Sequence, residues 1–313
     1  DLLVDDDLTV TDDMTVGGDL DVDGTANLDA VDIDGAVQID ATLSVGVNDT
    51  GYDVKFFGAT ASRHMTWDES ADSLIISGDL DVNDGTIKLD GNYPVGTNNV
   101  ALGDAALDSL TSGQRNVAVG TDALTAVTSG QRNTAVGYIA LTNATGSYNA
   151  AFGEQALQGT TTGQYNTAIG TAAAANNTEG SNNTAVGASA LLNNTTASEN
   201  TAVGYQAAYS ITGSQYNTAI GRGALYSHTT GNGGNVAVGY DANRSLTTGY
   251  NNVSVGVNAA YAMTTGLYNV ALGANALYAN TTASYNSAFG YLALSANTTG
   301  ANNVAVGGLS LDA

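Results

Sequence analysis

Side chains able to do acid–base or metal chemistry are few in this chain, and they are scattered. It holds two histidines, His64 and His228, and no cysteine. The absence of cysteine removes disulfides, thiolate nucleophiles and thiol-based zinc or iron–sulfur sites. Three copies of His64 meeting on an axis could bind a metal, but a lone histidine is far more often a surface or packing residue. The acidic runs Asp5-Asp6-Asp7 and Asp12-Asp13 offer oxygen ligands that suit calcium. They lack the loop D-x-[DN]-x-[DN]-G with a closing Glu, so a solvated acidic face is the better reading, with a weakly held axial cation as the alternative. No Ser-His-Asp set, paired-carboxylate pocket or phosphate loop stands out. The expectation is a protein with no catalytic residue, no resident metal and no cofactor, and so not an enzyme.

What does recur is a set of columns. Aligning on N-x-A-φ-G, where φ is a large apolar residue, places Asn at 99, 116, 133, 149, 166, 183, 200, 217, 235, 252, 269, 286 and 303. In full these are Asn99, Asn116, Asn133, Asn149, Asn166, Asn183, Asn200, Asn217, Asn235, Asn252, Asn269, Asn286 and Asn303. The spacing is 17 residues, except for one of 16 before Asn149 and one of 18 before Asn235. Four residues after each comes glycine: Gly103, Gly120, Gly137, Gly153, Gly170, Gly187, Gly204, Gly221, Gly239, Gly256, Gly273, Gly290 and Gly307. An Asn column can read sugars, or it can form an internal amide ladder between stacked layers. Its unbroken recurrence favours the ladder. The glycine supplies either a positive φ or a close backbone approach at a corner.

Tyrosine also falls in columns. Tyr138, Tyr205, Tyr240 and Tyr291 directly follow the glycine. Tyr148, Tyr165, Tyr216, Tyr268 and Tyr285 precede the Asn, while Tyr209, Tyr226, Tyr261 and Tyr278 follow an Ala-Leu position. Aligned rings with polar tips can stack on sugars or dock a partner, or they can cover seams between coils or chains. The structural role comes first, and Tyr138, Tyr205, Tyr240 and Tyr291 are the candidates for surface binding.

The elements that would hold these columns are thin layers. Each N-x-A-φ-G reads as a short strand whose Ala and larger apolar residue face opposite sides. A second apolar piece, as in Ala123-Leu124, reads as another short strand, and a T-T-G turn closes the unit. One such coil cannot enclose a core, so coils must stack at about 4.8 Å, giving a body roughly 60 Å long for thirteen of them. Helix loses, because no apolar run at 3.6 spacing survives beyond a turn.

Residues 1–92 keep a different rhythm, with apolar residues advancing in sixes (Val10, Val16, Val22, Leu28) between Asp/Gly turns. A stripe so narrow is dry only if three chains wrap together, which predicts a homotrimer. Residues 51–76, with Phe56, Phe57 and Trp67, break that rhythm and read as a β collar or insertion. The expected fold is therefore all-β: an elongated homotrimeric β-solenoid or β-roll of 17-residue coils over 96–313. It would be preceded by an acidic triple-stranded β-helix-like stem at 1–50 and a collar with a short stem at 51–95.

Composition agrees with thin layers. There are 39 glycines and one proline in 313 residues, with a net charge of -23. Residues 1–92 hold 22 of the 30 acidic side chains. Such a surface repels phosphate, which excludes nucleic-acid binding. No stretch of about 18 apolar residues exists to insert in a membrane. The start at Asp1, with neither initiator Met nor signal peptide, suggests a fragment or processed product.

Two resemblances follow from these motifs. The N-x-A-φ-G units over 96–311 resemble the head repeats of trimeric autotransporter adhesins (the YadA-like head), whose S-V-A-I-G signature has a shorter period. That resemblance implies a left-handed parallel β-roll in trimers. The whole layout is similar to marine and cyanobacterial bacteriophage fibre proteins. The tract Gly18-Asp19-Leu20-Asp21-Val22-Asp23-Gly24 and the unit Asn200-Thr201-Ala202-Val203-Gly204-Tyr205-Gln206-Ala207 carry that likeness. So do Asp53-Val54-Lys55-Phe56-Phe57-Gly58 and Trp67-Asp68-Glu69-Ser70. It implies a virion appendage acting as shaft or host-adsorption surface, with other virion proteins and a host-surface glycan or protein as partners. Such fibres often end in a self-cleaving chaperone domain, of which nothing precedes Ala313. The alternative is a bacterial surface adhesin. An ice-binding solenoid would need outward Thr-x-Thr rows, and the residue after the repeat Asn varies among Val, Thr, Ala and Ser.

Overall fold

The computed structural model describes residues 15, 54–57, 64–68, 73–77 and 98–312. The acidic tract expected to form a stem, with its Asp5–Asp7 and Asp12–Asp13 clusters, lies outside the described residues apart from Thr15. The chain divides into two units, 1–87 and 88–313.

The first unit contains three antiparallel strands in the order β1-β2-β3: β1 (Val54–Phe57), β2 (His64–Asp68) and β3 (Ser73–Ser77). β2 is central, with Trp67 opposite Val54 on one side and Leu74 on the other. Phe, Trp and Ile in these short runs are the residues that favour a pleated, half-buried surface.

The second unit is a parallel β-solenoid. Thirteen strands of three residues, β4 (Val100–Leu102) to β16 (Val304–Val306), pair in chain order to form one sheet. The pairing is in register by repeat position: Thr201 faces Thr184 on one side and Thr218 on the other, and Ala202 likewise faces Ala185 and Ala219. Twelve coils are complete, and β16 opens a thirteenth. The irregular coils leave this register intact. Val136 still pairs with Phe152 and Thr218 with Val236. The deletion falls in the turn at Thr145-Gly146, and the insertion falls in the turn at Gly231–Gly234, so the strands on either side are undisturbed.

Inside each coil the strand's Ala faces the core. Ala118, Ala135, Ala151 and Ala168 are all fully buried. Opposite them lie Ala123-Leu124, Ala140-Leu141, Ala156-Leu157 and their equivalents, also buried. The core is thus one methyl deep on the sheet side and one leucine deep on the other. Only small residues let the walls approach so closely.

The second strand expected in each coil is absent. Asp122 and Leu124 have φ of 56° and 54°, and the same left-handed pair recurs along the array. Left-handed residues two apart fold this piece into successive turns, closed by Ala123 N–H to the Gly120 carbonyl and Val127 N–H to the Leu124 carbonyl. Coils still pair here: Leu124 N–H donates to the Ala140 carbonyl at 3.1 Å. A left-handed leucine is unfavourable by about 1–3 kcal/mol. Burying its side chain contributes about 1.5–3 kcal/mol in the opposite sense.

Candidate functional site

The Asn column runs down the edge where each strand begins. Oδ1 of Asn99 accepts the backbone N–H of Asn116 at 2.8 Å, and Oδ1 of Asn116 accepts that of Asn133 at 2.9 Å. The same relation continues to Asn303. Nδ2 points the other way, within its own coil: Asn116 donates to the Gly130 carbonyl at 2.9 Å and Asn183 to the Ala197 carbonyl at 2.8 Å. One amide therefore closes its own coil and fastens the next. From Asn116 to Asn286 the column is buried. Bonded at both ends and shut away from water, it has no face to offer a ligand.

The glycine column is the corner after each strand. At Gly120 φ is 128°, and an added Cβ would lie 2.6 Å from the Gly137 carbonyl oxygen of the next coil. Both the dihedral and the spacing restrict the position to glycine.

A third column carries no special weight in the sequence reading beyond its T-T-G turn. The first Thr of that turn occupies the same place in all twelve complete coils: Thr111 and Thr128 through Thr281 and Thr298. Its hydroxyl donates to the backbone carbonyl of the next Thr, as from Thr161 to Thr178 at 3.1 Å and from Thr178 to Thr195 at 2.9 Å. The signal was there as a column as regular as the Asn.

The tyrosines stack along the solenoid axis. Tyr148 and Tyr165 lie 4.7 Å apart at 13°, Tyr209 and Tyr226 5.0 Å apart at 7°, and Tyr261 and Tyr278 5.4 Å apart at 9°. Rings facing each other at these distances each have one face covered by the neighbouring coil, while edges and hydroxyls point outward. Arginines enter the same stacks. The Arg222 guanidinium lies 6.0 Å from the Tyr205 ring and 5.2 Å from the Tyr240 ring, and donates to the Tyr240 hydroxyl at 2.6 Å. Arg244 lies 4.6 Å from the Tyr226 ring and pairs with Asp241 at 2.8 Å. Of the four candidate binding tyrosines, the structure links Tyr205 and Tyr240 through Arg222. Tyr138 and Tyr291 stand in other coils, each more than half exposed. The four do not converge on one site.

The array also encloses two polar pairs. Ser254 replaces the usual strand Ala, and its Oγ donates to Oδ1 of Asn243 at 3.0 Å, where the other coils have Leu or Ala. Ser214 Oγ lies 2.7 Å from Nε2 of His228, which is fully buried. The other ring nitrogen has no partner in hydrogen-bonding geometry. Burial pushes the imidazole down to about 4, offset only in part by the nearby Thr247 backbone. With no carboxylate on that ring and no route to solvent, the pair has the chemistry of a packed core polar group. His64 lies on β2, and its side chain is outside the described residues.

Among the described residues, no group of three His, Asp or Glu lies close enough together to hold a metal ion, and no helix is long and apolar enough to cross a membrane. A shallow groove of about 310 Å³ is lined by Asn258, Asn275, Tyr278, Leu292 and Ser295.

No protein-family model matches the chain, and no curated protein or solved structure is significantly similar to it.

Proposed function

We propose that this chain is a structural fibre or appendage protein of a bacteriophage virion, non-catalytic, acting as a shaft and as a host-adsorption surface in a homotrimer. The observation that carries the reading is the in-register parallel sheet of thirteen strands. It makes the second unit a one-dimensional stack in which each coil packs only on its neighbours, the architecture of a spacer or an extended binding surface. Its columns repeat the same side chains at the same spacing, so weak contacts to a repetitive cell-surface glycan or protein would sum by avidity. The resemblance of the Gly18–Gly24 tract and the Asn200–Ala207 unit to phage fibre sequences supports a virion as the source of the appendage. A bacterial surface adhesin of the trimeric autotransporter kind is the second reading, favoured by the N-x-A-φ-G units themselves.

Immuno-electron microscopy with an antibody to the purified protein separates the two. Decoration of virion appendages supports the fibre, and decoration of bacterial envelopes supports the adhesin. Light scattering tests the assembly, with a mass three times the 31.4 kDa of one chain expected.

A further inference from the structure

The strands bury their central residue and turn the two flanking residues outward. Thirteen strands contribute two such positions each, 26 in all. Not one of the 26 is charged, although the repeats from Gly96 onward carry eight acidic and four basic side chains. The residue just before the corner glycine is always Val, Ile, Leu or Phe. Several are well exposed: Leu102 at 48%, Phe152 at 41%, Ile169 at 44% and Ile220 at 40%. The other column is mostly Val and Thr. The result is a flat, uncharged, largely apolar ribbon two side chains wide, extending roughly 60 Å at the inter-strand spacing. Contiguous apolar surface of that extent marks an interaction site.

We propose that this outward sheet face is where a second copy of the chain sits, an inference that rests on the homo-oligomeric reading above. Three observations select a second copy as its occupant. The first is charge. The acidic residues of the coils, among them Asp104, Asp108, Asp122, Glu154, Glu179 and Glu199, all lie off the strands. Two identical acidic chains can meet without like-charge repulsion only on a face from which charge is missing. The second is size: 26 side chains match the roughly 20–30 residues a side of a standard stable interface. The third is pitch. A second copy carries the same strand spacing, so apolar rows meet apolar rows along the full length, which a partner of different repeat would not do. A polysaccharide fits the column before the corner glycine poorly, because Val, Ile, Leu and Phe offer its hydroxyls no hydrogen bonds.

The test uses the full chain and exploits its lack of cysteine. The double variant Ile169→Lys/Ile220→Lys places charge on the ribbon at outward positions. We expect unchanged circular dichroism and a fall to single-chain mass at a concentration a hundred-fold above that at which the parent stays assembled. Thr196→Lys, in the exposed turn, should leave the oligomer intact. Independently, Ile220→Cys should resist a bulky maleimide in the native oligomer and react once denatured, whereas Thr196→Cys should react in both states. Rapid native labelling of Ile220→Cys, or a lysine variant that keeps the parent's mass, overturns the assignment of this face while leaving oligomerisation standing. A parent protein that is monomeric throughout overturns both. If that monomer shows thermal hysteresis that the lysine variant loses, the ribbon faces ice instead.

Discussion

The backbone N–H of Asn217 donates to the side-chain oxygen of Asn200 at 2.9 Å, and Nδ2 of Asn200 donates to the Ser214 carbonyl at the same distance. Neither atom of the Asn200 amide is idle, and the groups it satisfies are buried with it. Asn200→Ala should therefore strand an N–H and a carbonyl in a dry interior, lowering stability by about 1–3 kcal/mol. Denaturant unfolding of the assembled protein measures this. A change within experimental error would mean that water replaces the amide.

Gly204 at a corner and Gly213 in a turn should behave in opposite ways. At Gly204 φ is 132°, and a Cβ would lie 2.7 Å from the Gly221 carbonyl group. At Gly213 an added Cβ meets nothing within 4 Å. Gly204→Ala should cost several kcal/mol. Gly213→Ala should be neutral or stabilise by up to about 1 kcal/mol. The contrast is read from paired thermal melts, and equal effects would contradict the corner geometry.

His228 makes the fold acid-sensitive. Its folded pKa of about 4 lies below the ordinary 6.5, so folding favours the neutral ring. The stability this contributes is fully present above pH 6.5 and is lost as pH falls toward 4. The loss amounts to about 3 kcal/mol, and it does not grow below the folded value. His228→Leu should remove that component, because Leu246 fills the equivalent place one coil on. Stability against pH for the two proteins, compared between pH 7 and 4, gives the difference directly. Parallel curves would refute it.

Asn243 and Ser254 should be coupled. Ser254→Ala alone leaves the buried Asn243 amide without its hydroxyl partner and should destabilise by about 1–3 kcal/mol. The double change Asn243→Leu/Ser254→Ala restores the Leu and Ala found in most coils and should be neutral or stabilising. A double-mutant cycle measures the coupling, and strict additivity would show that the 3.0 Å bond contributes nothing.

The parts of this fold legible in the sequence are those where one atom must meet the same atom one coil later. An Asn amide and a corner glycine admit no substitute, so they appear as unbroken columns. The piece around Ala123-Leu124 was misread as a strand because two adjacent apolar residues look the same whether extended or left-handed. Only the φ of Leu124 separates them, and leucine gives no hint of it. Another buried column was invisible for the opposite reason. Leu110, Val127, Ala144, Thr160, Asn177, Asn194, Ile211, His228, Leu246, Met263 and Asn280 are its buried members. Their chemistry changes from coil to coil, so burial there leaves no periodic trace. The tyrosine columns were visible, but not that pairs such as Tyr148 and Tyr165 stack one ring on the next. The outward placement of the larger strand residue follows from the depth of the core, which admits only a methyl on that side.

From Asn99 to Asn286 each side-chain oxygen in the Asn column accepts from the coil that follows, and, Asn217 apart, each side-chain nitrogen closes the coil it belongs to. A seventeen-residue block can accordingly be excised or duplicated whole, and at the seam the Asn, glycine and strand columns meet partners equivalent to those they had before. Reach then becomes a heritable setting, adjustable by recombination within the gene in steps of about 4.8 Å, with the Asn ladder and the strand register re-formed at each seam.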